Sequence, residues 1–444
     1  MRDVYLVNYS VKGIKTLNQL ITLSFYKKTF KKEMDTQSYN IKGIYGMNGA
    51  GKTAIITSVD ILKNILINSS YLNNPMIQNH LDEIINKELQ ELNIKVDFVV
   101  KLVDKLFYFR YEVILSKNAV NQYNISRESL SYKKATSKED KFDKLFEVEN
   151  GEIIFLNHEN EIFADFMKQK TINLLSNSSL SSLFYEKTLV VEQIKEFDGM
   201  LLYGLFALLL FGNDLHVYLD YSDKHKDYLV NNAFQLNPDR FINDFSEMNK
   251  ENMSIIGFSG NVVSKELFHL FELDVQKLCE FLQIFKPNIR NIEIDKKENR
   301  DDYICDLIMV YDLYKVHAEF ESTGIKKLIL LYMYLKEAAQ GGIVFIDELD
   351  SNLHDVYLCA LLEYLMSYGK GQLCFTTHNV GPMDVLKQNK KSIDFLSEDG
   401  QIYPWVTNGN YSPSSLYRNG MIEGSPFNVD SIDFIGVFGS LTED

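Results

Sequence analysis

The sequence predicts an α/β fold, a mixed β-sheet around a glycine-rich turn, with a mainly helical segment inserted between its two halves. Three observations carry this. An apolar run, Ile41-Lys42-Gly43-Ile44-Tyr45, enters the turn Gly46-Met47-Asn48-Gly49-Ala50-Gly51-Lys52-Thr53 and leaves it in a pattern of helical period. A second apolar run, Ile343 to Ile346, ends in the acid pair Asp347-Glu348. Between them, roughly 171–286 is rich in Leu and Phe at helical spacing. The expected division is 1–170 for the first half of the sheet domain, 171–300 for the helical insertion and 301–444 for the second half.

In chain order, Val4-Tyr5-Leu6-Val7, and then Ile21, Leu23 and Phe25 alternating with polar residues, read as two strands forming an edge layer. The turn that follows fits the phosphate-binding pattern G-x-x-x-x-G-K-T. Gly49 and Gly51 can take φ > 0, which lets backbone N–H groups curl around phosphate oxygens. Lys52 is spaced to reach the β and γ phosphates, and Thr53 to set its hydroxyl on Mg²⁺. Asn48, Gly49, Ala50, Gly51, Lys52 and Thr53 are therefore the expected nucleotide-binding set, with ATP and Mg²⁺ as ligands. The next helix places Ile55, Val59, Leu62 and Leu66 on one face, so its positive end points at the anion.

Ile94 to Val103 and Leu106 to Leu115 read as a hairpin turning at Asp104-Lys105, and Lys133 to Lys141 as an exposed loop. The run Met200 to Phe211 is well short of the roughly 20 residues that span a bilayer and reads as a fully buried helix. In Leu267, Leu270, Val275, Leu278 and Leu282 the helical repeat continues, without the sustained heptads of a coiled coil.

The net charge of -15 excludes a surface that is basic all over. It leaves room for a local stripe, for which Lys27-Lys28-Thr29-Phe30-Lys31-Lys32 is the candidate; a solvated loop of like charges is the plainer reading. Cys279, Cys305, Cys359 and Cys374 are too far apart for a C-x-x-C site, and the N-terminus lacks a signal-peptide core, so a reducing cytoplasm is the expected location.

The second half carries the remaining chemistry. Asp347 is expected to hold the Mg²⁺ shell and Glu348 to polarise an attacking water, at the carboxyl end of a buried parallel strand. Gln372-Leu373-Cys374-Phe375-Thr376-Thr377-His378-Asn379 reads as another apolar strand whose end presents a lone histidine; such a histidine is usually structural, but here His378 could hydrogen-bond a γ-phosphate or that water. Glu321-Ser322-Thr323-Gly324-Ile325-Lys326-Lys327, between a strand-like Tyr311 to Phe320 and a helix-like Leu328 to Ala339, offers Ser and Gly at a helix start. Asp350 and His354 lie just past the acids, where Asp350 or Ser351 could equally cap a helix.

The order of P-loop, signature turn, acidic strand, Asp350-Ser351-Asn352-Leu353-His354 and switch histidine resembles ABC-type ATPases of the SMC, RecF and OLD group. Within it, the E-S-T-G-x-K-K turn resembles that of the compact AAA-type ATPases of bacterial abortive-infection and other anti-phage systems, relatives of the Septu and PARIS ATPases. The segments Tyr108 to Tyr111, Arg127-Glu128-Ser129-Leu130, Tyr417-Arg418-Asn419-Gly420 and Phe434-Ile435-Gly436 resemble the same family, while 171–310 carries little that aligns. The Q-loop glutamine of such relatives has no counterpart placed here.

The resemblance implies an ABC-ATPase head acting as a homodimer or higher homo-oligomer. ATP would be sandwiched between Lys52 and Thr53 of one copy and the signature residues Ser322, Thr323, Gly324 and Lys327 of the other, with Asp350 and His354 in a D-loop crossing the interface and Glu348 and His378 catalytic. It implies a dimerising switch in anti-phage defence that controls a separate effector, a nuclease or toxin, since too few residues follow His378 for an appended one. Nucleic acid is a possible partner and a membrane is not expected. A RecF-like DNA-repair clamp and a transporter's nucleotide-binding subunit are the alternative expectations.

Overall fold

A computed structural model describes residues 4–31, 34–102, 105–137, 139–157, 165, 167–169, 171, 173–185, 199–219, 255–406 and 411–425. The chain opens with β1 (Val4–Lys12), β2 (Ile21–Ser24), β3 (Ile41–Gly46), α1 (Lys52–Ile67) and α2 (Pro75–Ile84). Five strands follow: β4 (Glu91–Leu102), β5 (Lys105–Lys117), β6 (Tyr123–Lys134), β7 (Asp143–Glu149) and β8 (Glu152–Leu156). Then come α3 (Leu180–Tyr185), α4 (Met200–Asp214), β9 (Leu215–Tyr218), β10 (Asn261–Ser264), α5 (Phe268–Phe285), β11 (Asn291–Asn299), β12 (Asp302–Val310) and β13 (Lys315–His317). The last part is α6 (Thr323–Gln340), β14 (Ile343–Ile346), α7 (Asp355–Tyr368), β15 (Gln372–Thr376), α8 (Met383–Leu386), β16 (Ile393–Leu396), β17 (Ile402–Pro404) and α9 (Pro413–Arg418).

The central sheet has the order β17-β16-β3-β15-β14-β9, parallel except for β17. Strands buried on both faces read as unbroken apolar runs, and β3, β14 and β15 are buried at every position. The charged exception in these three strands is Lys42 on β3, whose ammonium pairs with Asp394 on β16 at 2.7 Å in an almost solvent-free site; Gln372 and Thr376 on β15 are buried polar residues as well. An antiparallel sheet, β2-β1-β4-β5-β6-β7-β8, lies against the central one. The Gln372 side chain clips them together: it accepts from the Leu6 N–H at 2.7 Å and donates to the Leu6 carbonyl at 2.9 Å.

Between these two sheets sits the largest core. Helix α1 buries Ile55, Val59, Leu62 and Leu66 there, each worth roughly 1.5–3 kcal/mol on transfer from water. α4 is buried along most of its length and stacks Phe211 on Phe98 at 4.5 Å.

A smaller sheet, β10-β12-β11 with β13 beside β12, packs on α5. Helix α6 belongs to both neighbouring cores: Ile325, Leu328, Ile329 and Met333 face the small sheet, and Leu331, Tyr334, Leu335 and Ala338 face the central one. One rigid helix thus runs from the Ser322 turn toward the acid-bearing strand. Among the described residues no helix is long and apolar enough to cross a membrane.

The two strands expected as an edge layer form the end of the antiparallel sheet, β2 outermost and β1 pairing with β4 on its other side. Several expectations change. The described part of 171–300 does not form a lobe of its own: α4 lies in the main core, β9 lies in the central sheet beside β14, and α5 joins β12 across the 300 boundary. The strand is only four residues long and follows directly on the polar last residues of α4, Gly212-Asn213-Asp214, so it is lost in the helical pattern around it. Tyr311 to Phe320 is not one strand but a turn closed by Tyr311 N–H to the Tyr314 carbonyl at 2.9 Å, then β13 and a short 3₁₀ turn. The buried face of α5 uses Phe268, Phe271, Val275, Leu278 and Leu282, leaving Leu270 outward. Lys133 and Lys134 extend β6 before the expected loop begins. Asp104 and Phe434-Ile435-Gly436 lie outside the described residues.

Candidate nucleotide site

The cleft forms at the carboxyl ends of β3, β14 and β15, where parallel α/β sheets present their ligand sites. It encloses about 250 Å³ and is lined by Asn48, Gly49, Gly51, Lys52, Thr53, Glu348 and His378 of the expected set. Ala50 is buried just behind the turn. Gly49 and Gly51 have φ of +82° and +108°, the left-handed region that favours glycine. A Cβ on Gly49 would meet nothing within 4 Å, so the turn leaves an open concavity; on Gly51 it would lie 2.9 Å from Leu17 Cδ2.

Lys52 starts α1 and folds back, donating to the Gly46 carbonyl at 2.8 Å and the Met47 carbonyl at 2.9 Å. Burial lowers its pKa below the ordinary lysine value, while Asp347, Glu348 and Asp350 act in the opposite sense. A buried cation that donates to the carbonyls of its own loop fits an incoming anion: phosphate oxygens can replace those acceptors with full charges.

Thr376, at the end of β15, organises the acids. Its hydroxyl donates to Asp347 Oδ1 at 2.6 Å and accepts from the Glu348 N–H at 2.8 Å. Asp347 is buried; Glu348 is exposed and has a left-handed backbone at φ +48°, a conformation that a non-glycine residue holds at some cost. Thr377, Asn379 and the start of the following turn carry His378 to the surface of the same cleft. Among the described residues no three His, Cys, Asp or Glu side chains converge on one point. A Mg²⁺ ion here would therefore draw on Thr53, Asp347 and the phosphates of its ligand, as Mg²⁺ sites with few protein ligands do.

Sequence reasoning missed four cleft residues, one of them Ala54 on the first turn of α1. Thr376 was legible only as a polar residue ending an apolar strand. Lys15 and Thr16 reach the cleft from the loop after β1, and nothing in their local sequence marks them.

The Ser322 turn lies elsewhere, and none of its residues lines the cleft. Ser322 caps α6, its hydroxyl accepting from the Ile325 N–H at 3.4 Å, and Ser322 and Thr323 are exposed. Glu321 anchors the turn from behind: it accepts from the Tyr311 hydroxyl, from Lys286 Nζ at 3.0 Å and from the Ser322 N–H at 3.2 Å. Burial tends to raise the Glu321 pKa, but the bonds from Tyr311 and Lys286 overcome it and hold the carboxyl below its ordinary value. Gly324 packs against the segment beyond the acids, where an added Cβ would sit 2.7 Å from the Asn352 carbonyl oxygen.

That segment is tightly wound. The Ser351 N–H donates to the Glu348 carbonyl at 3.1 Å, and the Leu353 N–H to the Asp350 carbonyl at 3.0 Å. Asp350 Oδ1 is buried without a hydrogen bond, while His354 caps α7 by accepting from the Val356 N–H at 3.4 Å. Lys327 does not share the outward surface of Ser322: it is 4% exposed and its ammonium lies 4.3 Å from the centre of the Tyr218 ring. The outward part of the turn is therefore Ser322, Thr323 and Gly324.

A parallel sheet with a P-loop at its carboxyl end, and an acid pair one strand away from the adjacent polar strand end, defines a P-loop nucleotide-binding protein of the AAA-type ATPase class. The chain belongs to the family described as "AAA domain, putative AbiEii toxin, Type IV TA system", whose model matches residues 41–384. No curated protein matches it.

Proposed function

We propose that this chain is an ATP-hydrolysing switch of an abortive-infection system, whose two ATP sites are each completed by a second copy. The observation that carries this reading is the separation of two half-sites. Lys52, Thr53 and Glu348 line the cleft, with Asp347 buried behind them and bonded to the lining residue Thr376, while the Ser322-Thr323-Gly324 turn, exposed at Ser322 and Thr323, stands outside it. A capped helix start with free N–H groups suits an anion brought by a partner. At about 250 Å³ the cleft is smaller than the roughly 300–1,000 Å³ of pockets that engulf a whole small ligand, which suits phosphates held inside with the rest of the nucleotide nearer the surface.

In this reading Lys52 exchanges its loop carbonyls for phosphate oxygens, and Thr53 and Asp347 hold Mg²⁺, which would neutralise charge developing on the phosphates. Glu348 and His378 face the cleft and orient water against the terminal phosphate. Ser322 and Gly324 of the second copy cap that phosphate, so pairing depends on its presence and ends when it leaves. The Gly324–Asn352 contact and helix α6 tie the capping turn to the strand bearing the acids, a route by which pairing and hydrolysis reach a separate effector.

The test is Glu348→Gln, which keeps the binding groups and removes the carboxylate. Light scattering with ATP and Mg²⁺ is expected to show a stable dimer for the variant and a transient one for the wild type. A variant that stays monomeric at saturating ATP contradicts the reading.

A further inference from the structure

The lysine stretch after β2 is not an isolated loop of like charges. Tyr26 and Phe30 from that stretch join Tyr39, Tyr108 and Phe142 in an unbroken series of rings on the outer face of the antiparallel sheet, with centroid separations of 4.7, 5.2, 5.4 and 5.5 Å. Cations lie along the series. Lys390 sits over Tyr39 at 5.6 Å, Lys27 over Tyr26 at 5.7 Å, Lys133 over Phe142 at 4.7 Å and Arg110 over Phe142 at 4.1 Å. At the end nearest Tyr39, two distant segments bring lysines together. Residues 387–391 dock on the loop before β3 through Lys390 N–H to the Ser38 carbonyl at 3.0 Å, and Lys391 Nζ donates to Ser24 Oγ at 2.7 Å.

Among the described residues, three carboxylates pair with the cations of this series. Asp35 lies 3.9 Å from Lys390, Asp97 is bonded to Arg110 and Asp140 to Lys133. Lys28 and Lys31 are exposed. Burial lowers the pKa of Lys391, and the nearby charges of Lys42 and Lys28 lower it further, against Asp394. In a chain of net charge -15, concentrating lysines from two separate segments at one place is an electrostatic cost that a bound polyanion would offset.

We propose that this ridge binds the phosphate backbone of duplex nucleic acid without reading its sequence. The rings of Tyr26, Tyr39 and Tyr108 are buried, so they hold cations up rather than offering faces for bases to stack on. Phe30 and Phe142 are partly buried and, among the described residues, no ring of the series is fully exposed, which disfavours insertion into a lipid surface. The series spans at most about 21 Å, a length over which duplex DNA presents about a dozen phosphate charges, enough for the ridge to meet several at once. It lies at the amino ends of β3 and β16, away from the nucleotide cleft at their carboxyl ends, and the proposal rests on no part of the ATP reading.

The experiment is fluorescence anisotropy of the full chain with DNA duplexes of about 30 base pairs in two unrelated sequences, and an RNA duplex of equal length. Similar affinity for both DNA sequences is expected, falling about a hundredfold between about 50 and 200 mM salt if some four phosphates are neutralised. Lys28→Glu with Lys31→Glu and Lys390→Glu, shown folded by circular dichroism and an unchanged melting temperature, is expected to bind at least tenfold more weakly. Three results would overturn the proposal: no duplex binding by the wild type at low salt, unchanged binding by the folded variant, or capture by phosphatidylserine vesicles through these lysines without duplex binding.

Discussion

Thr376 Oγ1 lies 2.6 Å from Asp347 Oδ1 and takes the Glu348 N–H at 2.8 Å, so one hydroxyl fixes both acids of the cleft. Thr376 and Asp347 come from neighbouring parallel strands, and their register sets this geometry: Ile346 on β14 stands opposite Phe375 on β15, one residue before each.

Replacing Thr376 with Val keeps the shape and removes both bonds. Two buried groups lose their partner at about 1–3 kcal/mol each, and the acids lose their alignment. The expected outcome is a fall in kcat for ATP of at least tenfold, with nucleotide affinity changed far less because Lys52 and its loop are untouched. Steady-state turnover and equilibrium nucleotide binding check the two parts.

Gly324→Ala places a methyl group 2.7 Å from the Asn352 carbonyl oxygen, so the Ser322 turn or the segment after the acids must shift. Overpacking of this kind costs about 1–3 kcal/mol. ATP-dependent pairing is expected to fail while Lys52 still binds nucleotide, read by light scattering beside a binding assay.

Glu128 is wholly buried on β6, accepting from the Leu180 N–H at 2.9 Å and the Tyr111 hydroxyl at 3.0 Å, and burial pushes its carboxyl up to about 7. The folded state thus holds the proton more tightly than the unfolded chain, whose glutamates titrate near about 4.3. The stabilisation is fully present below about pH 4.3 and is lost as pH rises through about 7, on the order of 3 kcal/mol in all. Denaturant titrations at about pH 5 and pH 8 are expected to show this loss in the wild type and little of it in Glu128→Gln, relative to each other.

Asp394→Ala leaves the Lys42 ammonium in a nearly solvent-free site, still donating to the Lys391 carbonyl at 2.6 Å but without its counter-charge. Removing one member of a buried pair costs about 3–5 kcal/mol. Chemical denaturation should show a loss of that order, and replacing both residues by apolar ones should recover part of it.

What the sequence disclosed follows from how local each feature is. The P-loop is one contiguous stretch whose glycines, lysine and threonine need each other at fixed spacing, so Gly49, Gly51, Lys52 and Thr53 were readable together. β3, β14 and β15 announced themselves because strands buried on both faces are apolar throughout. Thr376, Lys15 and Thr16 reach the cleft only through tertiary structure, and no local pattern singles them out. β9 was hidden because it is only four residues long and follows α4 with just the polar helix end Gly212-Asn213-Asp214 between the two apolar runs, too short a segment to stand out from the helical pattern around it. Lys327 entered the expected signature set with the rest of its turn through the family resemblance, and no local pattern discloses that an aromatic ring, Tyr218, receives its ammonium inside.

The most direct measurement mixes two inactive chains. Lys52→Ala lacks the cleft cation and Ser322→Arg blocks the capping turn, so neither alone should turn over ATP. In a mixed dimer one of the two sites joins an intact Lys52 to an intact Ser322, and mixing is expected to restore a substantial fraction of wild-type turnover. Ser322→Arg that retains full activity alone, or a mixture of two inactive chains that stays inactive although the chains associate, would contradict the claim that each site is built from two copies.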